Sequence, residues 1–136
     1  MRHAFGDSFL FIALLNPRDS FHQTAMEVSR GWEGRIITTR WVLAEVGNAL
    51  CGLNARRSFL AFLEGMEQQG QITVLPDSDS LFDQGVKLFS GRPDKEWSLT
   101  DCISFAAMQI CDLEEALTGD HHFEQAGFQA LLKRPV

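Results

Sequence analysis

Four acidic residues stand where a charge is not obviously solvated: Asp7 in AFGDSFLFIALL, Glu45 in RWVLAEVGNAL, Asp101 in SLTDCISFAAM and Asp120 in ALTGDHHF. Glu45 is the only acid among Trp41, Val42, Leu43, Ala44, Val46, Ala49 and Leu50, and Asp101 repeats that pattern. A buried carboxylate without a partner is costly and tends to take up a proton. Carboxylates that converge repel one another unless a cation sits among them, and their hard oxygens suit Mg²⁺ or Mn²⁺ better than zinc. Each acid also has an ordinary structural explanation, and on the residues alone both stay open. Ser98-x-x-Asp101 fits a capping box, in which the acid satisfies free N–H groups at a helix start. Asp7 reads equally as an N-cap, Asp120 as a turn residue before a helix, and Glu45 as part of a narrow solvent-facing stripe.

The elements that must position these acids follow from the apolar pattern. Strands are predicted over 3–5, 35–39, 71–75, 115–118 and 129–132. Helices are predicted over 8–15, 20–29, 40–53, 56–69, 78–89 and 99–112, with a short one near Phe123. Gly70, Pro76 and the stretch Gly91-Arg92-Pro93-Asp94 break the pattern. Strands separated by helices imply right-handed crossovers and a parallel sheet covered on both faces, a three-layer α/β fold. Such folds place their chemistry beyond the carboxyl ends of the strands, where the strand order reverses. Asp7 directly follows the first strand and Asp120 the fourth.

Composition narrows the class. A chain of 136 residues with 45% hydrophobic side chains suits one domain, expected over 1–136. The apolar run 9–15 is too short to span a bilayer and lacks the flanks of a signal peptide, so cytoplasmic residence without membrane attachment is the expectation. Cys51, Cys102 and Cys111 are odd in number and lack C-x-x-C spacing. They read as buried reduced thiols rather than as a disulfide frame or zinc site. A net charge of −6 argues against a general nucleic-acid coat but leaves room for a nuclease whose acids bind cations.

The segments GDSFLFIALLNPRD, ITTRWVLAEVGNAL, KEWSLTDCISFAAM and ALTGDHHFEQAGF resemble, in order and spacing, the four acidic segments of PIN-domain ribonucleases of the VapC type II toxin family. The resemblance runs along almost the whole chain. It implies a five-stranded parallel sheet in the order 3-2-1-4-5, with strands 1 and 4 side by side. It also implies a catalytic and metal-binding quartet of Asp7, Glu45, Asp101 and Asp120, with Asp7 and Asp101 as direct ligands and Asp120 acting through water. The implied activity is Mg²⁺- or Mn²⁺-dependent hydrolysis of RNA, leaving a 5′-phosphate and a 3′-hydroxyl. The implied partner is a protein antitoxin over the acidic cleft. One departure is Phe9, where the family often has a small hydroxyl residue two places after the first acid. Gly6 is a second unusual feature, since a buried strand position is better filled by an apolar side chain.

Other residues are placed around this reading. Ser8, Thr100 and Thr118 flank acids and are expected to hydrogen-bond them. His121 and His122 are adjacent rather than at helical i, i+4 spacing and read as surface residues. Arg56 and Arg57 read as a solvated helix start, with RNA contact as the alternative. Trp41, Phe59, Phe62 and Leu63 are core, or, given the apolar surplus of their two helices, a homodimer or antitoxin face. Two further functions compete with the ribonuclease. In a receiver-like signalling domain Asp77 or Asp79 would be the phospho-acceptor, leaving Glu45 and Asp101 without a task. A PIN-type scaffold would bind RNA or protein without cutting.

Overall fold

The computed structural model describes residues 2–133; Met1 and the last three residues of the 1–136 span lie outside the described residues. Strand β1 (Ala4–Gly6) leads into helices α1 (Ser8–Leu15) and α2 (His22–Gly31), and β2 (Ile36–Thr38) into α3 (Arg40–Ala49) and α4 (Leu53–Gln69). Strand β3 (Ile72–Val74) leads into α5 (Asp79–Gly91) and α6 (Leu99–Ile110), and β4 (Glu115–Leu117) into the short α7 (His121–Gln125) and β5 (Gln129–Ala130). Every strand pair is parallel and the sheet order is β3-β2-β1-β4-β5. The three-layer α/β/α fold and the 3-2-1-4-5 order are therefore both observed.

Central β1 has a neighbour on each side, Phe5 pairing with Ile37 of β2 and Ala116 of β4, and all three of its residues are buried. Successive side chains point to opposite faces, so burial of all three means that both faces of β1 are covered, and the strand shows no polar alternation. Gly6 belongs to the same packing: a Cβ there would lie 2.7 Å from Ile36 Cγ2 and 2.8 Å from Phe11 Cζ. The space an apolar side chain would fill is already taken by two of them.

Helix α6 is buried along its length, from Asp101 to Met108. It packs closely on α5, where a Cβ on Gly85 would come within 2.4 Å of Ile103 Cγ1. Its middle is held by aromatics: the Phe105 ring meets Trp97 at 5.1 Å and Phe123 at 4.9 Å, both nearly edge-on.

Several boundaries differ from the sequence pattern. The stretch expected as one helix over 40–53 stops at Ala49, and α4 starts at Leu53 rather than at 56. Arg56 explains this turn: its guanidinium donates to the Cys51 carbonyl at 2.8 and 3.1 Å, satisfying an acceptor at the break. Arg56 thus holds the turn rather than merely facing solvent. Helix α6 ends at Ile110, with Asp112 in the left-handed region at φ 54°. All three cysteines are free, but only Cys102 is buried as expected: Cys111 is half-buried, and Cys51 is exposed because it sits in that same turn. Among the described residues no helix is long and apolar enough to cross a membrane.

Candidate active site

Strand order reverses between β1 and β4, and the chain leaves these strands at Asp7 and Thr118. The two side chains meet there: the Thr118 hydroxyl donates to Asp7 Oδ2 at 3.0 Å and accepts from the Asp120 amide at 3.1 Å. Asp7 occupies the N-cap position of α1, yet its side chain makes no capping hydrogen bond. It is 3% exposed, and Oδ1 is buried with no hydrogen-bond partner. Burial, followed by the negative charge of Asp101, pushes its carboxyl up to about 7, with Glu45 adding to the effect and the Thr118 bond opposing it. The N-cap explanation accounts for the backbone position of Asp7 but not for its side chain.

For Asp101 the two readings prove compatible. Its Oδ2 accepts from the Ser98 amide at 3.2 Å, and the Ser98 hydroxyl accepts from the Asp101 amide at 3.0 Å. This is a complete capping box. Asp101 is nonetheless 7% exposed, and its charge is felt at Asp7. Burial raises its own carboxyl pKa and the nearby charge of Asp120 adds to this, while the Ser98 amide and His122 pull it back.

Glu45 reaches the same end of the sheet from half-way along α3, where the Ser8 hydroxyl donates to its Oε1. Asp120 caps α7, its Oδ1 accepting from the His122 amide at 2.9 Å. Of the three expected supporting residues, Ser8 and Thr118 bond to acids. Thr100 makes no hydrogen bond to any of the four among the described residues.

His122 departs from the surface reading given to the histidine pair. Its side chain is 21% exposed, and Nδ1 stands 3.1 Å from Asp101 Oδ2 and 3.5 Å from Asp120 Oδ1. The cause is local: the tight Asp120 turn folds the ring back over the site. His121 does face solvent, with its side chain 72% exposed. Among the described residues, Asp120, His121 and His122 form a group whose ligand atoms all lie within 4.8 Å of one another.

Phe9 has a structural role in place of the missing hydroxyl. A Cβ on Gly119 would lie 2.5 Å from Phe9 Cζ, so the ring lies on the loop between Thr118 and Asp120. Phe21 meets it edge-on at 4.8 Å.

The receiver-like alternative does not survive the topology. Asp77 and Asp79 follow β3, an edge strand far in the order from the β1/β4 reversal, and both are exposed. Asp77 is paired with Arg40 at 3.0 Å. A cleft of about 660 Å³ does open there, lined by Arg40, Trp41, Asp77, Asp79 and Phe82 among others, but none of the four acids borders it.

What this arrangement can do follows from its donors. An orphaned buried carboxylate oxygen, like charges near it and hard oxygen atoms make a set that fits a hard divalent cation. Asp7, Glu45, Asp101 and Asp120 are the residues that could hold it.

No protein-family model and no curated protein matches the chain. Solved structures do. The chain is similar to VapC20 of Mycobacterium tuberculosis, a sarcin-ricin loop cleaving toxin, at 25% identity and a TM-score of 0.85, over 97% of this chain and 99% of that one. It is also similar in fold to FitAcB from Neisseria gonorrhoeae, at 15% identity and a TM-score of 0.62, over 96% of this chain and 97% of that one. The chain carries the PIN-domain fold of the VapC toxins, the family that its four acidic segments resemble.

Proposed function

We propose that this protein is a metal-dependent ribonuclease hydrolysing RNA phosphodiester bonds, built as one PIN-like domain over 1–136 and acting in the cytoplasm as the toxin of a toxin–antitoxin pair. The observation that carries this reading is Asp7, a carboxylate 3% exposed with one oxygen unpartnered, set where the strand order reverses and in the field of Asp101 and Glu45. The likeness to VapC20 supports the reaction class and suggests the first substrate to try, a sarcin–ricin-type RNA stem-loop.

Asp7, Glu45, Asp101 and Asp120 would hold Mg²⁺ or Mn²⁺, which when bound polarises the phosphate and lowers the pKa of a bound water. The protein's own groups prepare that site. Thr118 engages Asp7 Oδ2 and so leaves Oδ1 free for the cation. Ser8 fixes Glu45 in the same way. The capping box orients Asp101 at the start of a helix buried from Asp101 to Met108, so its position is set by core packing rather than by a loop. A protein antitoxin would silence the enzyme by covering this acidic cleft.

The test is cleavage of that RNA by the purified chain with Mg²⁺, with Mn²⁺ and with chelator. Cleavage is expected with either metal and not with chelator, and Asp7→Asn should abolish it. Cutting that persists in chelator would overturn the metal-dependent reading. RNA bound but never cut, under all conditions, would return the protein to a scaffold.

A further inference from the structure

The acid site contains one residue that is not an acid. His122 closes it from the α7 side, its amide committed to Asp120 Oδ1 at 2.9 Å and its ring turned inward. The ring Nδ1 lies between two carboxylates of different elements, 3.1 Å from Asp101 Oδ2 and 3.5 Å from Asp120 Oδ1. Two carboxylates facing the same nitrogen at these distances are like charges in close company and repel one another. An imidazole between them has two uses: to donate N–H to one carboxylate, or to share a cation with both. Two donors on adjacent corners of a coordination shell of about 2.1 Å radius stand about 3 Å apart. The observed separations of 3.1 and 3.5 Å suit shared coordination with little rearrangement.

We propose that His122 is a nitrogen ligand of the cation held by this site, acting beside Asp101 and Asp120, and that it shifts the site's preference from Mg²⁺ toward Mn²⁺. The chemistry is that of the donor: an imidazole suits a transition ion, whereas a purely carboxylate set suits Mg²⁺ equally well. His121 lies within the same 4.8 Å group, its Nδ1 3.7 Å from Asp120 Oδ1, but its side chain is 72% exposed, and it is His122 that also faces Asp101. This inference rests on the metal-binding reading of the four acids and goes beyond it in naming a fifth residue and the ion it selects.

Pulsed electron paramagnetic resonance on the full chain loaded with Mn²⁺ tests this directly, without turnover. Nuclear modulation from an imidazole nitrogen is expected in the wild type, retained in His121→Ala and lost in His122→Asn. In calorimetry His122→Asn should weaken Mn²⁺ binding about tenfold or more, and Mg²⁺ binding by less than about threefold. Should His122→Asn fail to fold, the wild-type and His121→Ala spectra decide the matter. Mn²⁺ bound without nitrogen modulation, or equal losses of affinity for both ions, would overturn the assignment of His122 and leave the acid quartet standing. A wild-type chain that binds no Mn²⁺ at all would overturn both.

Discussion

At the scale of single residues, Asp7 gives the clearest expectation. Its carboxyl is raised from 3.8 to about 7 in the folded protein, so the native state holds that proton more tightly than the unfolded chain does. The stability this supplies is fully present below about pH 4 and is lost as pH rises through about 7, a difference on the order of 4 kcal/mol. Metal-free protein should therefore melt at progressively lower temperature between those limits and level off above them. Asp7→Asn should flatten the dependence and melt higher than wild type at pH 8; a wild-type midpoint that climbs over the same range would contradict this. Asp101→Asn separates the two roles of its residue. The amide oxygen can still accept from Ser98, so the cap survives and the metal-free midpoint should hold or rise. RNA cleavage should nonetheless fall by at least about a hundredfold. Asp112→Asn, on an exposed left-handed position that asparagine tolerates well, should change neither property. The burial of Asp7 and Asp101 was legible in the sequence because each is a lone charge in an apolar run. His122 was not, because its neighbour His121 is exposed and adjacency hides which of the two rings a turn folds inward.

At the scale of elements, the loop after β4 depends on one complementary pair. Phe9 lies where a Gly119 side chain would go, so Gly119→Ala should displace the loop carrying Asp120 and cost about 1–3 kcal/mol. Urea denaturation of Gly119→Ala alone and combined with Phe9→Leu checks this: the smaller side chain should recover part of the loss, and purely additive losses would show that the two do not touch. The order of strands and helices could be read from alternating apolar runs and breakers, whereas their ends could not. The apolar run through Leu50 and Leu53 reads as one helix, and only Arg56, reaching back to the Cys51 carbonyl, reveals the turn between α3 and α4. Similarly β5 is assigned over Gln129–Ala130 alone, although the amides of Leu131 and Leu132 still bond to Ala116 and Thr118.

For the whole molecule, the surplus of apolar helical surface expected from sequence is partly observed and partly relocated. Phe59 and Phe62 of α4 pack against the core, while Leu53 and Leu60 of α4 and Phe82, Val86 and Phe89 of α5 remain exposed. A homodimer that covers such a face is the expected solution state. Sedimentation equilibrium at micromolar concentration should return twice the chain mass, and Phe89→Glu should shift it toward monomer; a monomeric wild type would count against the dimer. The sheet itself carries one more consequence. Thr118 spends its hydroxyl proton on Asp7 and its oxygen on the Asp120 amide, so a single side chain spans the seam between β1 and β4. An amide in an irregular loop normally trades its hydrogen with solvent quickly, but that of Asp120 is tethered to a fully buried group. Its exchange in heavy water should accordingly be as slow as that of the strands, and Thr118→Val should release it. The rate at that one position would then report, in the absence of RNA, metal or partner, whether the seam is closed.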